Sequence, residues 1–104
     1  MIRIYTMSTC PFCNDTLKRL KGANYRFEEV DVDDPKNDQE CAKLEKFFNS
    51  ARYPKVIVRE NSINYFINPN DGDRPSSRSA EKFLYYNSPN DIINYIKQIK
   101  NHEI

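Results

Sequence analysis

The residues most able to do chemistry together are two thiols, Cys10 and Cys13, in the run Cys10-Pro11-Phe12-Cys13. A short apolar run at 2–5 precedes them and a helical pattern follows. That order predicts a strand, a tight loop and a helix whose first turn carries both sulfurs. A helix start presents backbone N–H groups with no internal partner and the positive end of the helix dipole. A thiolate placed there is stabilised, so its pKa falls below the ~8.5 of a free cysteine. Pro11 suits the first helical position, where an N–H is spare and the proline φ is already correct. Cys13, one turn along, is within reach of a Cys10–Cys13 disulfide. The chemistry is that of a redox dithiol, with Cys10 as attacking and Cys13 as resolving thiol. Two blander readings compete. The pair could be small buried hydrophobes, or half of a zinc site. Zinc needs about four ligands, and only Cys41 and His102 remain, far apart and in no ligand motif. No metal is expected.

The rest of the composition narrows the class. The chain has 104 residues and a formal net charge of +1, with 16 basic and 15 acidic side chains. That length suits a single domain, 1–104, with one small core. The balance of charge gives no reason to expect nucleic acid or an acidic membrane as partner. Apolar runs are too short to span a bilayer, and residues 1–20 lack the pattern of a signal peptide. Three cysteines do not make a secreted disulfide framework. A reducing, cytoplasmic setting and a monomer are the default expectations.

Elements are needed to position the dithiol. Branched and aromatic residues at 1–6 predict the first strand. Residues 11–21 predict a helix with Cys13, Leu17 and Leu20 on one face, Asn14 and Asp15 in its first turn, and Gly22 as a left-handed stop. Residues 25–32 predict a second strand, with Tyr25 and Phe27 on one face, Val30 and Val32 on the other, and a register shift near Glu28-Glu29. Residues 38–49 predict a helix with Cys41, Leu44, Phe47 and Phe48 as its apolar stripe, which makes Cys41 a packing residue. The continuous run Val56-Ile57-Val58 within 55–59 suits a strand covered on both faces. Asn61-Ser62 reads as a turn into a fourth strand, 63–67. A polar, turn-rich stretch at about 68–78 follows. Ser79 then caps a helix through Phe83, Leu84 and Tyr85, and residues 92–100 form a last helix with Ile92, Ile93, Ile96 and Ile99 facing the core. His102 lies in a solvated tail. The sum is an α/β protein with a four-stranded mixed sheet and helices on both faces.

The Cys-Pro-aromatic-Cys motif after the first strand, with Pro54 before the third, resembles the dithiol glutaredoxins of the thioredoxin superfamily. The likeness covers roughly residues 1–67. It implies a thioredoxin-like fold and a cis Pro54 packed against the dithiol. It also implies that Tyr53 pairs its backbone with the cysteine of glutathione, and that Phe12 flanks that ligand. Arg52 either holds a glutathione carboxylate by paired hydrogen bonds or is solvated at a helix end. The chain departs from the family at two places. Met7 stands where many members have Lys, so the thiolate depends more on the helix terminus and on Thr9 or Arg52. The stretch at 68–78 stands where the family has Gly-Gly followed by an Asp that accepts from the γ-glutamyl amine. Asp73 is the candidate equivalent, with an ordinary turn acid as the alternative.

The activity the resemblance implies is thiol–disulfide exchange on protein disulfides and glutathione-mixed disulfides. Glutathione serves as cosubstrate and no cofactor is bound. Ribonucleotide reductase is a familiar client of the family, though no residue here selects it. Three alternatives stay open. One is a redoxin fed by thioredoxin reductase without a glutathione site. Another is a dimer holding an iron–sulfur cluster through Cys10 and glutathione. The third is an interaction domain whose dithiol is incidental.

Overall fold

Along the first strand the side chains alternate between two faces of a sheet, and that alternation organises the molecule. The computed structural model describes residues 1–44, 47–48, 52–70 and 81–104. Strand β1 spans Ile2–Thr6 and α1 spans Pro11–Gly22. Strand β2 spans Glu28–Asp31. A 3-10 turn at Pro35–Asn37 leads into α2, Asp38–Lys43. Strands β3 (Lys55–Glu60), β4 (Ile63–Pro69) and β5 (Glu81–Tyr86) follow, and α3 (Pro89–Lys100) comes last. The sheet order is β2-β1-β3-β4-β5. Strands β1 and β2 are parallel, β3 is antiparallel to both β1 and β4, and β5 is parallel to β4.

Ile2 and Ile4 join Val56, Val58, Tyr65, Ile67 and Tyr86 on one face, under Leu20 of α1 and Ile92, Ile93, Ile96 and Ile99 of α3. The opposite face carries Tyr5, Val30 and Phe66 beneath Leu44 and Phe48, with Cys41, Phe47, Ile57, Tyr53 and Phe83 packed around them. Each such aliphatic or aromatic side chain taken out of water contributes about 1.5–3 kcal/mol before entropy is subtracted. The two faces explain the continuous run in β3: Val56 and Val58 serve one core and Ile57 the other. Asn61 and Ser62 both have positive φ, 53° and 66°, the geometry of a type I′ hairpin turn matched to strand twist.

A polar clamp ties α2 to the sheet. The Arg3 guanidinium meets the Glu40 carboxylate through Nε at 2.6 Å and Nη2 at 2.8 Å, and it also pairs with Glu28. The Tyr5 hydroxyl donates to Glu40 at 2.6 Å. Burial, then the bond to Glu40, pushes the Tyr5 phenol up to about 12 from an ordinary 10.0. A raised pKa means the fold favours the neutral phenol. Its stabilising contribution is complete below pH 10 and is lost as the pH rises through about 12. Tyr5→Phe is expected to lose about 2 kcal/mol less stability across that interval than the wild type. Urea midpoints below pH 10 and near pH 12 read this out, and equal losses in the two proteins would contradict it.

Several expectations are corrected. The sheet has five strands, not four. The segment Glu81–Tyr86, read as a helix, is the fifth: Phe83 serves the α2 face while Leu84 and Tyr86 serve the other, a period of two rather than of helical turns. No register shift occurs in β2, whose pairing runs unbroken from Arg3↔Glu28 to Thr6↔Asp31. Plain alternation already puts odd Tyr25 and Phe27 opposite even Val30 and Val32. Gly22 is the last residue of α1, and the left-handed residue is Asn24 at φ 61°. Asn24 N–H bonds Lys21 O and Tyr25 N–H bonds Leu20 O, both at 3.1 Å, which is a Schellman ending with Asn in the glycine role. Asp15 lies beyond the first turn, paired with Arg19 at 3.2 Å. Boundaries differ too: β2 is shorter than 25–32, β4 runs on to Pro69, and α2 ends at Lys43. Most of the stretch at 68–78, with Asp73, and also Ser79 lie outside the described residues.

Candidate functional site

Cys10 is the N-cap of α1, with extended backbone at φ −117° and ψ 101°. Pro11 follows as the first helical residue, so the helix begins where the proline ring requires it. The Cys13 N–H points at Cys10 Sγ, 3.1 Å away. A donor this close to the sulfur favours a negative charge on it. No acidic residue stands in the first turn of α1 to oppose that charge. Cys10 and Cys13 are joined as a disulfide, their Cα atoms 5.2 Å apart. Cys13 is fully buried, whereas Cys10 is half-exposed.

The opposite wall comes from the segment leading into β3. The Tyr53–Pro54 peptide bond is cis and Pro54 is buried. Tyr53 O lies 3.5 Å from Cys10 Sγ. Behind this wall sits Lys55, only 6% exposed, with its ammonium 4.2 Å from the centre of the Tyr53 ring. The approach loop is tied down by Ser8, whose N–H and hydroxyl both donate to Asp33, at 3.0 and 2.8 Å. These two bonds hold the Asp33 carboxyl below its ordinary value.

Between the walls runs a groove of about 250 Å³ lined by Met7, Thr9, Cys10, Pro11, Phe12, Arg52 and Tyr53. It borders a smaller cavity of about 60 Å³ that shares Phe12, Arg52 and Tyr53 and adds Pro69, Asn70, Tyr86 and Asn87. The fold therefore brings together Cys10, Cys13, Thr9, Phe12, Arg52, Tyr53 and Pro54. Asp73 lies outside the described residues. Reasoning from the chain alone missed Asn70, Tyr86 and Asn87. Reading the aromatic run at 83–86 as a strand beside β4 would have found Tyr86 and Asn87, and carrying β4 on to Pro69 would have found Asn70.

The third thiol has a different setting. Cys41 packs against the α2-face core, and burial, followed by Glu40 and Asp38, pushes its pKa up. A raised thiol pKa makes a poor nucleophile near neutrality. Among the described residues, no group of three or more His, Cys, Asp or Glu side chains is placed to hold a metal ion. Among them too, no helix is long and apolar enough to cross a membrane.

A dithiol at a helix N-terminus facing a cis-proline, on a mixed sheet with helices on both faces, defines the thioredoxin-like class of thiol redox proteins. Within it, the family model described as Glutaredoxin matches residues 2–63, and the chain belongs to the glutaredoxin family. An uncharacterized glutaredoxin-like 8.6 kDa protein in the rubredoxin operon of Clostridium pasteurianum is 45% identical over 47 residues, 44% of this chain. The match spans 63% of that relative's length. No solved structure matches. The family match ends at the start of β4, so β5 and α3 lie beyond it.

Proposed function

We propose that this protein is a glutathione-dependent thiol–disulfide oxidoreductase acting on protein disulfides and glutathione-mixed disulfides. The observation that carries the reading is the asymmetry of the dithiol. Cys10 is half-exposed at a helix N-terminus in the wall of a groove, while Cys13 is buried behind it.

The Cys10 thiolate attacks one sulfur of the substrate disulfide, forms a mixed disulfide and expels the other sulfur as thiolate, which takes a proton from solvent. A low-pKa sulfur serves both as nucleophile at neutral pH and as leaving group in the next step. With a protein disulfide, Cys13 loses its proton and attacks Cys10, giving the Cys10–Cys13 bond and releasing the reduced substrate. Two glutathione molecules then reduce that bond and leave as glutathione disulfide. With a glutathione-mixed substrate, Cys10 takes the glutathionyl sulfur and a second glutathione removes it. Glutathione is the cosubstrate, and its cysteine lies along the Tyr53 main chain beside Thr9 and Phe12. Arg52, at the junction of groove and cavity, takes a glutathione carboxylate. Asn70 and Asn87, joined by a 3.1 Å hydrogen bond, offer amides at the far end, and the family resemblance makes Asp73 a further candidate for the γ-glutamyl amine. Protein disulfides, including that of a ribonucleotide reductase, are the larger substrates.

One observation favours a second reading, electron supply from thioredoxin reductase. The described lining of groove and cavity has Met7 on the Cys10 side and no carboxylate at the far end. The test is turnover of a small glutathione-mixed disulfide with glutathione and glutathione reductase as sole electron supply. Robust turnover is expected. Failure there, together with opening of the Cys10–Cys13 bond by thioredoxin reductase, would establish the second reading instead.

A further inference from the structure

We propose that Tyr86, on the strand outside the matched family region, is a positioning residue of the dithiol site, holding the Tyr53–Pro54 main chain at Cys10 and thereby setting how readily that thiol ionises. The proposal rests on Cys10 being the reactive thiol. Tyr86 is 3% exposed, and its hydroxyl donates to Pro54 O at 2.7 Å. The preceding carbonyl in the chain is that of Tyr53, 3.5 Å from Cys10 Sγ. One hydroxyl from β5 thus grips the segment whose neighbouring carbonyl touches the sulfur. The same side chain lines the small cavity with Asn70 and Asn87. The strand end is itself secured, since Asn70 N–H bonds Tyr86 O at 3.0 Å.

The two main-chain groups at Cys10 act in opposite senses. The Cys13 N–H donates to the sulfur and favours thiolate. The Tyr53 carbonyl can only accept, so it favours the thiol, whose S–H can donate to it. With Pro54 O released, the Tyr53 carbonyl is free to withdraw from a charged sulfur, and the thiolate becomes easier to form. Charged side chains stand around the site. Arg52 lines the groove and Lys55 sits over the Tyr53 ring. Asp33 is bound to Ser8 in the approach loop, and Asp15 is paired with Arg19 along α1.

The test is the pH dependence of Cys10 alkylation by iodoacetamide in the fully reduced protein, read site by site by peptide mass mapping. Tyr86→Phe removes one oxygen and keeps the ring in its packing. Its Cys10 midpoint is expected to fall by at least about 0.3 pH unit, a twofold change in the proton equilibrium. Tyr86→Leu, which also lacks the hydroxyl, is expected to shift the same way. An unchanged or raised midpoint in Tyr86→Phe, whatever happens to its thermal midpoint, overturns the proposal and leaves Tyr86 a packing residue. A wild type whose Cys10 reacts no faster than Cys41 at neutral pH sinks the reading of Cys10 itself, and the proposal with it.

Discussion

Cys10→Ser is expected to abolish turnover of a glutathione-mixed disulfide, by at least ~10³-fold, while Cys13→Ser keeps turnover within about tenfold of the wild type. Serine preserves size and the N-cap hydrogen bond, but its hydroxyl does not ionise near neutral pH and cannot form a disulfide. Neither of the other two thiols can take over. Cys13 is fully buried behind Cys10, and the Cys41 pKa is pushed up by burial and by Glu40 and Asp38. Cys13→Ser removes only the resolving step, which glutathione-mixed substrates do not need. With a protein disulfide the order changes, because Cys13 resolves the mixed disulfide from within, and Cys13→Ser, left to resolution by glutathione, is expected to be slowed there. Initial rates of both variants on both substrate types check this. Comparable losses in both variants on the small substrate would contradict the division of roles.

Phe66→Ala is expected to cost about 3–5 kcal/mol. Phe66 is 3% exposed. Its ring stacks on Phe47 at 4.3 Å and on Phe83 at 5.4 Å, and meets Phe48 edge-on at 5.7 Å. It joins the segment after α2 to β5 across the sheet, so truncation leaves a cavity bordered by three rings that no single neighbour can fill. Against a typical total of about 5–15 kcal/mol, that leaves a protein close to unfolding at room temperature. Urea denaturation at neutral pH measures it, and a loss below about 1.5 kcal/mol would show that the ring stack is not what holds this face. Phe66→Leu, which fills part of the volume, is expected to lose less.

The order of elements over the first sixty residues was legible because its signals are local and mutually consistent. The Cys10-Pro11-Phe12-Cys13 run sits where a strand gives way to a helix, and Pro11 can only be at the start of that helix. Val56-Ile57-Val58 is short and wholly β-branched, which suits a strand covered on both faces. The segment at 81–86 was not legible, because Phe83, Leu84, Tyr85 and Tyr86 form a continuous apolar run that fits a buried helix or a strand equally well by period. Pairing with β4 decides it, and pairing is not written in six residues. The error reached the site, since a helix through Phe83, Leu84 and Tyr85 gives no reason to bring Tyr86 and Asn87 to the cavity beside Phe12 and Arg52. Gly22 misled for a different reason. Glycine is the common left-handed stop, but the Schellman bonds from Asn24 and Tyr25 set the end of α1 two residues later.

The central claim, that Cys10 is the thiol that takes the disulfide, is tested most directly by trapping. Cys13→Ser protein, reduced and then mixed with a glutathione-mixed disulfide, should accumulate one glutathione per chain, and peptide mapping should put it on Cys10. Adding excess glutathione should release it. Glutathione found on Cys41, or no adduct while Cys10 stays a free thiol, would contradict the account.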